Sequence, residues 1–150
     1  MKIYIDADAC PQVIKNIVYR AAARTKVELI LVANAYFQYP KANNIKFVQV
    51  GKGFDVADSY IVQQVQLNDI VITADVPLAA LVIDKGACAL NPRGEFYDKE
   101  SIKQKLAIRN LMTELRESGQ ISSRTAPFDQ RAQQAFANAL DKYLTKMQNK

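Results

Sequence analysis

Short apolar stretches alternate with longer amphipathic stretches along the first two thirds of the chain. Five short stretches, rich in β-branched residues, are typical of strands buried in a parallel sheet and lie at 2–5, 27–32, 45–50, 70–73 and 87–90. Between them, apolar residues recur at helical spacing and predict helices at 11–24, 55–67 and 77–85. Strands that alternate with helices require right-handed crossovers, so the pattern predicts a three-layer α/β fold in which helices flank a parallel sheet of about five strands.

The last third of the chain is helical in pattern. Residues 99–117 and about 128–147 predict two helices, joined by a polar linker at 118–125. A chain of 150 residues with 49% hydrophobic content can bury a core without disulfides or a structural metal. We therefore expect one domain over residues 1–150, with an α/β core at 1–98 and two C-terminal helices at 99–150.

Several classes of site are excluded by composition. The sequence contains no histidine, which removes histidine-dependent nucleophiles, histidine-ligated zinc and imidazole as an acid or base. Cys10 and Cys88 lack the spacing of a zinc or redox motif, and Cys10 has no base partner in the sequence, so we interpret both as reduced, buried thiols. Any hydrolytic chemistry must therefore depend on carboxylates and a metal ion.

The expected location follows from hydropathy. The N-terminal residues MKIYIDAD include no apolar stretch of signal-peptide length, and no segment approaches the length that spans a membrane. These features predict a soluble cytoplasmic protein without a membrane partner.

Aspartates follow three of the predicted strands, at the edge where ligands bind in open parallel sheets. Asp6 and Asp8 follow the first strand, Asp55 and Asp58 follow the third, and Asp75 follows the fourth. If Asp6 and Asp8 are both extended, their side chains point the same way. We call this set of five carboxylates the acidic rim. Crowded carboxylates repel each other, and Mg²⁺ or Mn²⁺ is the ion that would neutralise them.

Each of these acids also has a structural interpretation. Asp55 or Asp8 could cap the helix that follows it, and Asp58 could be an acid favoured by a helix dipole. Asp6 is harder to explain in this way, since an acid that ends an apolar strand is costly unless something pairs with it, and Asp75 has the same standing.

Other polar and aromatic residues near the acidic rim leave two interpretations open. Thr73 could position a water or orient Asp75, or it could simply bond to backbone. Three loop aromatics, Tyr36, Phe37 and Tyr39, could stack on nucleic-acid bases or pack back on the domain.

The net charge of +5 comes entirely from the C-terminal third. Residues 1–98 hold ten Lys and Arg against ten Asp and Glu, whereas residues 99–150 hold ten against five. This asymmetry is compatible with an RNA partner, and equally with two solvated helices. Candidates for holding substrate phosphates are Arg93, in the turn after the last strand, and Lys103, Lys105 and Arg109.

Six short motifs occur together: IDADACP at 5–11, VAN at 32–34, GFDVAD at 53–58, ITADVPLA at 72–79, NPRG at 91–94 and FANALD at 136–141. Their combination, which covers nearly the whole chain, resembles the YaiI/YqxD family of uncharacterised bacterial proteins. That family is grouped with PIN-like domains, whose nuclease members hydrolyse phosphodiesters, mainly of RNA, with Mg²⁺ or Mn²⁺ held by a few acidic residues.

The resemblance implies a role for each acid. Asp6 corresponds to the acid that ends the first strand, Asp75 to the acid after the fourth, and Asp55 or Asp58 to the middle acid. Nucleases of this type often carry a glutamate on a helix at the middle position, where this sequence has aspartate at a helix start.

The leading hypothesis is hydrolysis of phosphodiester bonds, in which Asp6, Asp75 and either Asp55 or Asp58 hold Mg²⁺ or Mn²⁺. Asp8 would assist through a second ion or an outer-shell water.

Two alternatives stay open. One is a haloacid-dehalogenase-like phosphatase with Asp6 as nucleophile, Asp8 as general acid and Thr73 as phosphate ligand, although no paired-acid motif follows Asp75. The other is a non-catalytic module that binds RNA through its C-terminal helices.

Overall fold

Five parallel strands form the centre of the structure, a computed structural model that describes residues 1–53, 56–104, 106–108 and 130–148. The strands are β1 (Lys2–Asp6), β2 (Glu28–Ala33), β3 (Ile45–Gln49), β4 (Ile70–Ile72) and β5 (Cys88–Leu90). They lie in the order β3-β2-β1-β4-β5, and every neighbouring pair is parallel. Each predicted strand boundary is within one residue of the observed one, and the parallel sheet is confirmed.

Helices connect the strands. They are α1 (Gln12–Thr25), α2 (Val56–Gln64), α3 (Val76–Asp84) and α5 (Gln130–Gln148), while helical residues 99–104 and 106–108 are the described part of α4. A short 3-10 turn at Ala7–Ala9 separates β1 from α1. The predicted end of α4 and the predicted start of the last helix lie outside the described residues.

Side chains of the strands point alternately to two apolar clusters. One cluster packs Ile3 and Ile5 of β1 against α1 and α5, where Phe136 is fully buried. The other packs Tyr4 of β1 against α2 and α3, with Leu78 among its members. The sheet is therefore covered on both faces, which confirms the three-layer α/β architecture.

No helix in the described ranges combines the length and the apolar character that crossing a membrane requires.

The prediction that α2 continues to residue 67 is wrong, because other groups take the hydrogen bonds that would extend the helix. The N–H of Gln66 donates to the Asp69 carboxylate at 2.9 Å. The carbonyl of Val62, which an extended helix would pair with Gln66, accepts instead from Lys85 Nζ. Asp69 and Lys85 thus end α2 at Gln64.

The direction of strand addition reverses next to β1. The chain adds β2 and then β3 on one side of β1, and β4 and β5 on the other. In open parallel sheets, this reversal leaves a crevice beyond the carboxyl ends of the two central strands. Asp6 ends β1 and Thr73 follows β4, so both residues lie at this crevice.

A tight turn at residues 91–94 packs against the backbone of α5. Gly94 has a φ of +91°, and a Cβ atom there would lie 2.6 Å from the carbonyl carbon of Ala135 and 2.7 Å from the nitrogen of Phe136. Only glycine accommodates both the conformation and the close approach.

We expect Gly94→Ala to lower the free energy of unfolding by about 2 kcal/mol or more, since it combines a strained φ with a clash against helix backbone. Urea denaturation monitored by circular dichroism measures this loss. Gly51→Ala is the matched control, because nothing lies within 4 Å of a Cβ at that position. Equal effects of the two substitutions would contradict this interpretation of the turn.

Candidate functional site

Asp6 is a buried carboxyl group at the end of the central strand. Its exposed fraction is 8%, and its Oδ2 accepts a hydrogen bond from Thr73 Oγ1 at 3.4 Å. Burial raises the pKa of Asp6; the Thr73 hydrogen bond opposes this, and the charges of Asp75 and Asp8 raise the pKa further. Within the described ranges, no lysine or arginine forms an ion pair with Asp6. Asp6 is therefore a buried acid in a negative environment.

Thr73 joins the acid of β1 to the acid that follows β4. Its hydroxyl donates to Asp6 and accepts a hydrogen bond from the backbone N–H of Asp75 at 3.0 Å. Its backbone is fixed as well: the N–H donates to the carbonyl of Leu90 at 3.1 Å, and its carbonyl accepts from the Tyr97 hydroxyl at 3.3 Å. The structure thus brings Asp6, Thr73 and Asp75 together.

Asp75 is half-buried and caps α3. One carboxylate oxygen, Oδ1, accepts from the N–H of Leu78 at 3.1 Å, and Pro77 lies in the first turn of the helix. This cap was not among the structural interpretations considered for Asp75, although an Asp two residues before a proline is a recognisable signal for it. The cap fixes the carboxylate and engages one of its two oxygens.

Asp8 is exposed and lies in the 3-10 turn Ala7–Ala9. The condition for parallel side chains at Asp6 and Asp8, an extended backbone at both, is therefore not met. The alternative in which Asp8 caps α1 is also wrong, since α1 begins after Pro11 without a side-chain cap. Asp8 nonetheless acts on Asp6 through its charge.

Asn34, which the sequence analysis did not assign to the site, holds Asp8 in place. Its backbone N–H donates to Asp8 Oδ2 at 2.8 Å. With its side-chain nitrogen turned toward Asp8, the amide also donates to Oδ1 at 3.2 Å and to Oδ2 at 2.7 Å. The available signal was that Asn34 directly follows β2, just as Asp6 ends β1.

The two candidates for the middle acid differ in what the structure describes. Asp58 lies in the first turn of α2, in a groove of about 320 Å³ that Pro77, Leu78 and Leu81 of α3 also line. Asp55 lies outside the described residues.

The candidate phosphate-binding residues are dispersed. Arg93 is half-buried in the turn that follows β5, and Lys103 is exposed on α4. Lys105 and Arg109 lie outside the described residues.

A larger groove carries basic residues that the sequence analysis did not single out. It has a volume of about 890 Å³, lies between α1 and α5, and includes Arg20, Arg24 and Arg131. Arg24 pairs with Asp141 across it. The signal was the spacing of Arg20 and Arg24, four residues apart on one face of α1.

Cys10 is not an activated nucleophile. Burial raises the pKa of its thiol to about 12, with Lys15 lowering the pKa and Asp6 raising it. A thiol with this pKa stays protonated near neutral pH. Both cysteines are free, and Cys10 is buried as expected while Cys88 is partly exposed.

The donor set at the site suits a hard divalent ion that keeps most of its water. Among the residues that the structure describes, no group of three or more His, Cys, Asp or Glu side chains is arranged to hold a metal. Mg²⁺ needs fewer protein ligands, since one or two carboxylates complete its shell with waters and substrate phosphates. Asp6 and Asp75 are the two nearest candidates of that kind: the Thr73 hydroxyl contacts the carboxylate of Asp6 and the backbone N–H of Asp75.

The comparisons with known proteins identify relatives along nearly the whole chain. Residues 4–146 match the family model described as "Uncharacterized BCR, YaiI/YqxD family". A "UPF0178 protein" from Hahella chejuensis is 55% identical over 146 residues, which cover 97% of both chains. A "UPF0178 protein" from Dechloromonas aromatica is 51% identical over 147 residues, with 98% of both chains covered. No solved structure gives a significant match.

We expect Asp6→Asn to stabilise the protein near neutral pH in the absence of divalent ions. Because the pKa of Asp6 is raised in the folded state, the wild type loses stability as pH rises from the ordinary value of 3.8 through the folded pKa. The variant does not undergo this loss, so the difference in free energy of unfolding between variant and wild type should vanish below about pH 3.8. Urea denaturation across this pH range, in EDTA, measures the difference.

Asp84→Asn is the control for this prediction, since Asp84 is exposed at the far end of α3. It should leave the pH profile unchanged. A wild type that gains stability over Asp6→Asn as pH rises would contradict the assignment.

Proposed function

This protein belongs to the YaiI/YqxD family, and we propose that it is a metal-dependent nuclease that hydrolyses phosphodiester bonds of RNA at the acidic rim. The observation that carries the proposal is the bridge from the buried carboxylate of Asp6 through the Thr73 hydroxyl to the backbone N–H of Asp75. The bridge lies where strand order reverses, which is the usual ligand position in open parallel sheets. The PIN-like grouping implied by the motifs is part of the same proposal.

The electrostatics of Asp6 favour a divalent cation as the partner of this site. A buried carboxylate beside two further carboxylates is costly in the charged state, and an added positive charge relieves that cost. Asp6 and Asp75 would hold Mg²⁺ or Mn²⁺, ions that prefer oxygen ligands. When bound, the ion would lower the pKa of a water and stabilise negative charge on the phosphate.

The protein's own side chains orient these groups. Thr73 fixes Asp6, and the α3 cap fixes Asp75, so neither carboxylate must be ordered when substrate binds. Asp8, exposed but held by Asn34, would assist through a second ion or an outer-shell water. Arg93, at the carboxyl end of the neighbouring strand β5, holds a substrate phosphate.

The third carboxylate of the proposed site would come from Asp55 or Asp58. Asp58 lies in a groove that Leu78 also lines, and among the described residues it does not form a three-acid group with Asp6 and Asp75.

We predict that the wild type cleaves single-stranded RNA in Mn²⁺, and that Asp6→Asn and Asp75→Asn each lower the rate by about a hundredfold or more. Asparagine caps a helix as well as aspartate does, so Asp75→Asn removes the charge while the start of α3 is retained. Initial rates measured with a labelled oligonucleotide and normalised to folded protein test this.

Asp84→Asn supplies the matched control, since it removes the same charge from the opposite end of α3 and should cleave at the wild-type rate. EDTA should abolish all cleavage. Equal rates for all four proteins would identify a contaminant as the source, and RNA binding without turnover in either Mg²⁺ or Mn²⁺ would favour a non-catalytic role.

A further inference from the structure

An aromatic cluster lies in and beside the loop between β2 and β3. Phe47 of β3 is at its centre, with ring centroids 5.4 Å from Tyr36, 5.0 Å from Phe37 and 5.4 Å from Tyr39. Phe37, Tyr39 and Phe47 are partly buried against the core under α1. These four aromatic residues, together with Lys41, are called the Tyr36 patch below.

Tyr36 is the member of the patch that faces solvent, with 58% of its surface exposed. Its ring is nevertheless held on several sides: Phe47 and Tyr39 contact it, at centroid distances of 5.4 and 6.2 Å, and Lys41 Nζ donates to its hydroxyl at 3.2 Å. An exposed aromatic ring that is already ordered loses little conformational entropy on binding a flat partner. Tyr36 therefore presents an ordered aromatic ring to solvent.

The charge around the patch favours a polyanion. Residues 9–53 contain seven lysines and arginines and a single acid, Glu28, which pairs with Lys46 at 2.9 Å. Lys41 Nζ lies 3.8 Å from the ring centroid of Tyr39, and Lys15 Nζ lies 4.1 Å from that of Phe37. Flat rings interleaved with cations are the combination by which proteins hold unpaired bases and their phosphates.

The position of the patch connects it to the acidic rim. Tyr36 follows Asn34 by two residues, and Asn34 binds Asp8 through its backbone N–H. β2, which leads into this loop, pairs directly with β1, which ends in Asp6. The loop that carries Tyr36 therefore begins at the carboxyl edge of the sheet, the edge at which Asp6 ends β1.

We propose that the Tyr36 patch is a base-stacking surface for single-stranded nucleic acid, on which an unpaired base lies against Tyr36 and Lys41 neutralises a neighbouring phosphate. The inference rests on the proposed function, since it names the strand that the acidic rim would cleave. Duplexes bind poorly at such a surface, because their bases are stacked on each other and present no free face.

Fluorescence anisotropy with the full chain in EDTA tests the surface without turnover. The probes are a labelled single-stranded RNA, the same strand annealed to its complement, and a strand of equal length without bases. Tyr36→Ala and Tyr36→Leu should weaken single-strand binding about tenfold, because both lose the ring. Tyr36→Phe, which keeps the ring, should bind as the wild type does.

None of these substitutions should change the affinity for the duplex or the affinity for the baseless strand, relative to the wild type. Leu67→Ala is the control, because Leu67 is exposed and lies just before the amino end of β4, whereas Tyr36 follows the carboxyl end of β2. This substitution should not change the affinity for any probe. Unchanged single-strand affinity in folded Tyr36→Ala and Tyr36→Leu would overturn the inference. So would an equal loss for the baseless strand, which would leave charge alone as the cause.

The two proposals fail separately. Cleavage that depends on Asp6 and Asp75 but not on Tyr36 would support the nuclease proposal and contradict the stacking surface. Binding that depends on the Tyr36 ring, without any metal-dependent cleavage, would support the surface and contradict the nuclease.

Discussion

The parallel pairing of β1 with β4 aligns Ile5 with Ile72, so that the residues beyond them meet at one edge of the sheet. Asp6 and Thr73 are 67 positions apart in the sequence, yet their side chains are hydrogen-bonded. The same pairing places the reversal of strand order between β1 and β4, which opens a crevice at their carboxyl ends. The geometry of the candidate site, including the position of Asp75, follows from this register.

Two buried acids, Asp69 before β4 and Asp6 at the end of β1, differ in the hydrogen bonds that they accept. The difference distinguishes a structural acid from a candidate functional one. Asp69, before β4, is 4% exposed and accepts two backbone hydrogen bonds, from the N–H groups of Lys2 and Gln66, both at 2.9 Å. Its oxygens are satisfied by the fold itself. Asp6 is nearly as buried, but it receives one longer hydrogen bond, from a hydroxyl, and the charges of Asp75 and Asp8 raise its pKa. A buried acid so poorly compensated is typical of a functional position.

The sequence predicted the elements well and the site in part. Strand boundaries were accurate because β-branched runs such as 70–73 favour buried parallel strands strongly. Asp6 and Asp75 could be singled out as candidates because each follows such a run. The sequence left the backbone conformation at Asp8 open, because a short 3-10 turn leaves no hydrophobic periodicity to detect. The contact between Asn34 and Asp8 depends on β2 lying beside β1, and local sequence does not specify strand order.

The central claim is that Asp6 and Asp75 share one divalent ion. A crystal structure of the full chain soaked in Mn²⁺, with anomalous scattering recorded for manganese, tests it most directly. The account predicts an anomalous peak about 2.1 Å from a carboxylate oxygen of each of these two residues. Saturating Mn²⁺ that leaves no peak at the acidic rim, or a peak there that neither carboxylate contacts, would contradict it.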